Sequence, residues 1–309
     1  MNASRKLGKW TESQGMLTLQ RKETIAGWFF VTPMLIGTTV LTLIPILATF
    51  VLSFTDWKFI AGFEAIKWTG LENFTGLVDD EKFRRSLVNN FLFLLTVPVY
   101  LTISLILAVL INNKVYFSNF FKVIFFMPYI SSVVAVAVVW QVLFHPSVGP
   151  VNEFLRMIGL QNPPQWIADP DFALISIMMI SVWISIGFNM IVYIAGLQAI
   201  PRDMYEAAEI DGANGYVKFM RITLPLLSPT TFFLMITGFI YSFKVFDLIA
   251  VLTKGGPIQS TTMLVWYMYE KAFTDLDIGY ASAIAFVLFI CLFVITMLQW
   301  LGQNKWVNY

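Results

Sequence analysis

Long apolar stretches alternate with polar segments along most of the chain. The hydrocarbon core of a bilayer is about 30 Å thick, and a helix needs roughly 20 mostly apolar residues to cross it. Stretches of about that length predict six membrane-spanning helices, at residues 28–53, 91–112, 120–144, 172–197, 226–252 and 280–302. The predicted fold is therefore all-α, that of a polytopic membrane protein.

The composition of the chain agrees with this class. Of its 309 residues, 58% are hydrophobic and 13% are charged, whereas soluble domains have about 45–50% apolar and about 25% charged residues. The formal net charge of +1 gives no electrostatic basis for binding nucleic acid. The single cysteine, Cys291, excludes an internal disulfide and lies in an apolar run, where a small buried side chain is expected.

The distribution of lysine and arginine predicts the orientation, because cytoplasmic loops carry an excess of these residues. With a cytoplasmic N-terminus, most basic residues fall inside, and the outside loops 145–171 and 253–279 hold only three. The loop 54–90 departs from this pattern with five basic residues. The predicted organisation is a cytoplasmic segment at 1–27, a transmembrane domain at 28–302 and a cytoplasmic tail at 303–309.

The polar connection between the fourth and fifth spans, about residues 198–225, has the pattern of two short helices joined by a turn. Pro201 suits the start of a helix, where its missing N–H is not needed. Two breaker pairs, Asp211-Gly212 and Asn214-Gly215, predict the turn. A second amphipathic piece follows at 216–222. This helix–turn–helix is either an exposed connector or a docking element for a cytoplasmic partner.

A motif within this connection runs from Glu206-Ala207-Ala208, through Gly212 after three residues, to Ile222-Thr223-Leu224-Pro225 after nine more. Its residues and spacing resemble the EAA loop of the permease subunits of binding-protein-dependent importers. In that family the loop forms coupling helices that fit a cleft on the ATPase subunit. The resemblance implies an ATPase-coupling role for Glu206, Ala207, Ala208, Asp211, Gly212, Ile222, Leu224 and Pro225.

The resemblance covers about residues 25–305 and extends to the carbohydrate branch of the family. The further matching segments are Phe126–Tyr129, Trp140–Phe144, Trp166–Pro170, Phe246-Asp247, Thr253, Gly255–Pro257 and Gly279–Ala283. The chain lacks the extra N-terminal spans and the large extracytoplasmic insert of the maltose-importer subunit. It is therefore more similar to the short six-span sugar permeases that pair with a sister subunit.

The resemblance also implies partners and a location. It implies a multi-pass protein of the bacterial inner membrane, embedded in the lipid bilayer with both termini cytoplasmic. The implied partners are a second homologous permease subunit, two ATP-binding cassette subunits, an extracytoplasmic solute-binding protein and a carbohydrate substrate. The sequence has no Gly-x-x-x-x-Gly-Lys-Ser/Thr loop. ATP is therefore expected to bind to the ATPase subunits, and no cofactor to this chain.

Similarity to the maltose-importer permease places the substrate pathway on the fourth and fifth spans, which flank the coupling loop. The implied lining residues are Ser181, Ile184, Ser185, Phe188, Gly238, Tyr241, Ser242 and Val245. Within each span they are spaced i, i+3, i+4, i+7, which is one face of a helix. Uncharged hydroxyl and aromatic groups favour a neutral carbohydrate. The alternative is that small and hydroxylated residues let membrane helices pack closely.

Two ionisable residues, Lys244 and Asp247, lie inside the predicted fifth span. Such residues are costly in a membrane and are usually functional. They are three positions apart and are able to form an ion pair on a helix. The alternative is that Lys244 contacts an anionic substrate, such as an acidic sugar or a phosphate.

Two other classes of function are compatible with a polytopic chain. A secondary transporter driven by an ion gradient is expected to carry coupling-ion carboxylates within its spans, and only Asp247 qualifies. A membrane-embedded enzyme acting on lipid-linked sugars needs catalytic groups, and one histidine, His145, and one cysteine assemble no nucleophile–base set and no zinc site. We therefore predict no catalytic residues, no metal site and no enzymatic activity.

Overall fold

The computed structural model of the protein describes residues 3–112, 116–304 and 306–307. Residues 1–52 and 53–309 form two separate compact units. The first contains the helices Ala3–Thr38 (α1) and Ile44–Leu52 (α2), joined by the π-helical turn Thr39–Leu43. The sequence predicted a boundary between a cytoplasmic segment and the first span at residue 27. Because α1 continues through that residue, the boundary would mark the edge of the membrane and not the end of a helix.

The second unit is mostly helical. It begins with a two-stranded antiparallel sheet, Thr55–Asp56 (β1) and Lys67–Trp68 (β2). Its helices are Glu72–Asp79 (α3), Glu81–Phe93 (α4), Thr96–Asn112 (α5), Ser118–Ile130 (α6), Val133–Leu143 (α7), Pro150–Met157 (α8), Pro170–Ala199 (α9), Arg202–Ile210 (α10), Gly215–Lys218 (α11), Leu224–Leu226 (α12), Ser228–Phe243 (α13), Asp247–Leu252 (α14), Leu264–Tyr269 (α15) and Ile278–Gln303 (α16). Short 3-10 turns lie at Phe59–Ala61, Phe63–Ala65 and Trp166–Ala168, and π-helical turns lie at Phe219–Thr223 and Glu270–Thr274.

The predicted polytopic all-α class is confirmed. Among the described residues, five helical stretches are long and apolar enough to cross a membrane: Arg21–Leu52, Glu81–Asn112, Pro170–Ala199, Ser228–Leu252 and Ile278–Gln303. α6 and α7 pass the same test as a pair, and they make a sixth span if the two are one broken span. The second stretch starts at Glu81, about ten residues before the predicted start of its span.

The predicted third span, 120–144, is not one continuous helix. Its two halves, α6 and α7, meet at an angle of 97°. At the junction the backbone of Ser131 is extended, and both its N–H and its hydroxyl donate to the carbonyl of Met127. Serine competes with the helical ladder in this way, and Pro128 just before it has no N–H to donate. The break therefore has a local cause in the sequence.

The predicted fifth span, 226–252, is also interrupted, because residues 244–246 leave the helix between α13 and α14. The break frees the carbonyl of Phe243, which accepts a hydrogen bond from the buried side chain of Asn90 at 3.4 Å. The same amide accepts from the N–H of Leu264 at 2.8 Å. A freed carbonyl in a membrane domain needs such a partner. A side chain of α4 thus supports the break in the fifth span.

The core of the second unit is centred on the packing of α5 along α9. Val97, Met190 and Tyr193 are almost fully buried in it. α6 crosses α9 at Gly187, where an added Cβ would lie 2.0 Å from the carbonyl oxygen of Phe125. Small residues at helix crossings are typical of membrane proteins, because they let two backbones approach closely. This crossing fixes the part of α9 that carries the predicted pathway residues.

Asp80 joins three helices at the start of the second span. Its carboxylate accepts hydrogen bonds from the hydroxyls of Tyr267 and Tyr280 and from the backbone N–H groups of Lys82 and Phe83. Burial raises the pKa of this carboxyl, but the hydrogen bonds outweigh burial and hold the pKa of Asp80 below its ordinary value. The resulting stability is fully present above the ordinary aspartate pKa and is lost as the pH falls through the lowered pKa.

Candidate functional site

A cavity of about 320 Å³ lies at the break in the fifth span. The residues that line it come from α5, α6, α7, α9, α13, α14 and the break itself. Of the eight residues predicted for the pathway, seven line this cavity: Ser181, Ile184, Ser185, Phe188, Gly238, Tyr241 and Val245. The eighth, Ser242, is not brought to the cavity, because its side chain is buried and its hydroxyl donates to the carbonyl of Phe239 at 2.8 Å.

Aromatic rings form part of the cavity wall. The rings of Tyr129 and Phe188 stack with a centroid distance of 4.8 Å and an interplanar angle of 19°. Tyr129 lies in the last turn of α6, next to the break between α6 and α7. Tyr241 on α13 also lines the cavity and is 68% exposed in this chain alone. All three rings offer flat apolar faces, and the two tyrosines add a hydroxyl at one end.

The polar groups of α9 bond to their own helix. The Ser185 hydroxyl donates to the Ser181 carbonyl at 2.8 Å, and the Asn189 amide donates to the Ser185 carbonyl at 2.7 Å. Because a hydroxyl has one proton and two lone pairs, the oxygen of Ser185 keeps acceptor capacity after donating. The side-chain carbonyl of Asn189 is an acceptor as well. The α9 side of the cavity is therefore suited to ligands that donate hydrogen bonds.

Apart from Lys244 and Asp247, five further polar or aromatic lining residues lie outside the predicted set: Tyr100, Tyr129, Asn189, Thr237 and Phe246. Asn189 lies four positions after Ser185 and Thr237 lies four positions before Tyr241, so a longer helical repeat would have included both residues. Tyr100 and Tyr129 come from α5 and α6, and the periodicity of the fourth and fifth spans carries no information about other helices. For Tyr129 the sequence contained one signal: the proline directly before it marks a position where a helix is prone to break.

The predicted ion pair between Lys244 and Asp247 is not formed. Within the described part of the chain, no nitrogen–oxygen contact within 4.0 Å joins the two side chains. Both are exposed and both line the cavity. The i, i+3 pairing assumes a continuous helix, whereas the helix ends at Phe243 and restarts at Asp247. The cavity therefore contains two charged residues in addition to the uncharged residues that were predicted to line the pathway.

The connection between α9 and α13 folds as a helix–turn–helix, as predicted. α10 ends at Ile210, and the N–H of Gly212 donates to the carbonyl of Glu209 at 3.0 Å. Gly212 has a φ of 76°, a conformation that only glycine adopts at low cost. Asn214 then caps α11 by accepting from the N–H of Val217 at 2.9 Å. The backbone conformation of the turn therefore explains why the motif has a glycine at this position.

Two side-chain contacts hold the two arms of this hairpin together. Lys218 Nζ lies 2.7 Å from Glu209 Oε1, and the hydroxyl of Tyr205 lies 2.9 Å from Thr223 Oγ1. The hydrogen bond from Lys218, with its positive charge, lowers the pKa of Glu209 below its ordinary value. The arms are therefore connected to each other as well as to the flanking spans.

The motif residues lie on the outer surface of the hairpin or at its return to α13. Glu206, Ala207, Asp211 and Gly212 are exposed, and Ala208, Ile222, Leu224 and Pro225 are partly buried. The large apolar side chains of Ile210 and Tyr216, near the turn, are 87% and 70% exposed. Apolar side chains exposed together beside charged ones are typical of a protein contact surface.

Known proteins similar to this chain are membrane transport components. The family model described as "Binding-protein-dependent transport system inner membrane component" matches residues 80–306. The chain is 36% identical over 294 residues to the probable ABC transporter permease protein YesP of Bacillus subtilis (strain 168), with 94% of each chain covered. It is 35% identical over 294 residues to the lactose transport system permease protein LacF of Rhizobium radiobacter, covering 93% of this chain and 97% of LacF.

A third relative is the sn-glycerol-3-phosphate transport system permease protein UgpA of Escherichia coli O157:H7. It is 34% identical over 250 residues, which cover 79% of this chain and 82% of UgpA. Among solved structures, the chain is similar to one in a bacterial ABC transporter involved in the import of the acidic polysaccharide alginate. The TM-score is 0.83 at 24% identity, covering 95% of this chain and 100% of the other. At that identity the likeness shows the fold.

Proposed function

We propose that this chain, which belongs to the family of binding-protein-dependent transport system inner membrane components, is one of two permease subunits of an ATP-driven carbohydrate importer. One observation carries this proposal. The hairpin that contains the complete EAA motif connects α9 and α13, the two helices that supply the predicted cavity residues. Family membership favours this function over a secondary transporter or an enzyme. LacF, named for lactose, and UgpA, named for sn-glycerol-3-phosphate, support a polyhydroxylated substrate.

The path from the hairpin to the cavity supports a coupling role. α9 ends at Ala199, just before α10 starts. On the other side, α11 continues through a π-helical turn and α12 into α13, with an interruption at Leu227. Leu227 is fully buried, and an added Cβ on Gly196 of α9 would lie 2.9 Å from its side chain. A movement of the hairpin is therefore transmitted through packed helices to the residues that line the cavity.

The proposal includes the partners that such a permease needs. Two ATP-binding cassette subunits bind ATP, and one of them contacts the exposed EAA residues of this chain. A second homologous permease subunit completes the pathway beside Tyr241 and Trp183, which are 68% and 42% exposed here. A solute-binding protein delivers the carbohydrate at the opposite end of the spans.

ATP hydrolysis by the reconstituted complex tests the function. We expect this chain, purified with a sister permease and an ATPase and placed in lipid vesicles, to support hydrolysis that rises several-fold when a sugar-loaded binding protein is added. The reason is that substrate delivery and hydrolysis are coupled through conformational states of the permease. Binding protein without sugar is the control. A rate that is the same with and without loaded binding protein would contradict the importer function.

Topology is tested separately. The bias of basic residues supports an orientation with both termini, and with them the hairpin, in the cytoplasm. Alkaline phosphatase fused after Asn162, in the connection before α9, is expected to be active, because it folds only outside the cytoplasm. The same reporter fused after Asn214 is expected to be inactive. The opposite pattern would place the hairpin away from ATP and overturn the proposal.

A further inference from the structure

Lys244 and Asp247 lie on either side of the break in the fifth span and both line the cavity. They are exposed, and in the described part of the chain neither side chain makes a hydrogen bond or an ion pair. Tyrosines aside, they are the ionisable residues among those that line the cavity. The cavity therefore carries one positive and one negative charge that do not neutralise each other by contact.

The break explains why these two charges persist without pairing. Lys244 follows the last residue of α13, where the partial negative charge of a helix C-terminus favours a cation. Asp247 is the first residue of α14, where the N-terminus favours an anion. Because neither side chain is in an ion pair, the donors of Lys244 and the acceptors of Asp247 are available to a ligand.

The chemistry of the two groups is complementary to a hydroxylated ligand. An ammonium group has three donors and a carboxylate has only acceptors, whereas a hydroxyl both donates and accepts. Hydrogen bonds to ionised groups are about twice as strong as those between neutral groups. A neutral ligand leaves the summed charge of the cavity at zero, while an anionic ligand would leave an uncompensated negative charge beside Asp247. The charges thus favour a neutral polyol over an acid.

We infer that Lys244 and Asp247 contact the transported substrate, a neutral saccharide, and determine substrate specificity by forming hydrogen bonds with its hydroxyl groups. Lys244 donates to hydroxyl oxygens and Asp247 accepts from hydroxyl groups. The stacked rings of Tyr129 and Phe188 in the same cavity supply an apolar surface for the C–H groups of the sugar ring. This inference rests on the proposed function and adds the substrate class and the residues that select it.

A double-mutant cycle in the reconstituted complex tests the inference. The variants are Lys244→Met, Asp247→Asn and both together, and the probes are neutral disaccharides, lactose among them, and uronate-containing disaccharides. We expect each single change to reduce uptake of the transported neutral sugar about tenfold or more, and the double change to reduce it further. Assembly with the partner subunits should be unchanged. Lys254→Met and Asp56→Asn are matched controls, since both residues are exposed and neither lines the cavity.

Three results would overturn the inference. Recovery of uptake or of assembly in the double variant would mean that the two residues form a structural ion pair, because removing both partners then costs less than removing one. Loss of uptake confined to uronate sugars in Lys244→Met would mean an acidic substrate. Normal uptake in both single variants would mean that neither residue contacts substrate. In each of these cases the wild-type complex still hydrolyses ATP faster when loaded binding protein is added, so only the inference fails. A wild-type complex without that stimulation would refute the proposed function itself.

Discussion

Replacing Glu206 with lysine is expected to abolish ATP-driven uptake while the protein stays in the membrane. Glu206 is exposed on α10, within the surface proposed to contact the ATPase. Reversing a charge at a protein interface leaves like charges opposed, and truncation of an interfacial charge pair alone costs about 2–5 kcal/mol. We therefore expect the ATPase to bind at least about tenfold more weakly. Membrane fractionation and co-purification of the ATPase measure the two parts of the prediction.

A second change in the same hairpin, Gly212→Pro, tests its shape and not its charge. Gly212 has a φ of 76° and donates its N–H to Glu209, whereas proline holds φ near −65° and has no N–H. We expect the same loss of uptake. Glu153→Lys is the matched control, since Glu153 is also exposed on a short helix, α8, outside the hairpin. Normal ATPase binding and normal transport in both hairpin variants would show that the hairpin is not the docking element.

Replacing Gly187 with valine is expected to prevent the second unit from folding. An added Cβ would lie 2.0 Å from the carbonyl oxygen of Phe125 and 2.7 Å from the Cα of Phe126. Both are backbone atoms, so no side-chain rotation relieves the clash, and α6 and α9 must separate. Overpacking that side chains can absorb costs about 1–3 kcal/mol, and we expect at least the upper end of that range here. The yield of monodisperse detergent-solubilised protein measures the effect.

Gly302→Ala is the control for the loss of a helical glycine. Nothing lies within 4 Å of a Cβ at Gly302 of α16, and alanine stabilises an open helix position by up to about 1 kcal/mol relative to glycine. We expect this variant to behave as wild type or slightly better. A Gly187→Val protein that is as abundant and monodisperse as the control would mean that α6 and α9 do not cross at Gly187.

Hydropathy predicted the approximate extent of five spans, but not the 97° bend within the predicted third span or the break within the fifth. Burial in a bilayer depends on composition, which the sequence shows directly. The break at residues 244–246 contains no glycine or proline, and it depends on the side chain of Asn90, more than 150 positions away, which satisfies the freed Phe243 carbonyl. Such a tertiary partner cannot be read from the segment itself. The break after Pro128 had a local signal, because proline and serine both weaken the ladder.

The turn of the hairpin, in contrast, could be predicted from the sequence because the residues that form it act locally. Asp211-Gly212 and Asn214-Gly215 act locally: Gly212 takes the positive φ and Asn214 caps the next helix. No distant residue is needed to place the turn between α10 and α11. Its role as a docking element is a prediction that depends on a partner chain.

The cavity residues show where helical periodicity succeeds and where it fails. Spacing along one helix places Ser181, Ser185 and Phe188 on a shared face, and all three line the cavity. It also places Ser242 beside Tyr241, although the Ser242 side chain is buried and bonded to its own helix. Residues from other helices, such as Tyr129, require knowledge of how the helices pack.

The interruption of the fifth span has a mechanical consequence. A continuous helix bends sharply only by straining or losing hydrogen bonds of its ladder, and unpaired buried backbone groups are costly. At residues 244–246 the ladder is already open, and Asn90 holds the carbonyl that lacks a helical donor. Roughly six backbone dihedrals, two for each of these three residues, therefore connect α13 to α14. A change in the angle between α13 and α14 at this point costs no ladder hydrogen bond within either segment, but it must shift Leu248, Ile249 and Leu252 of α14, which are buried.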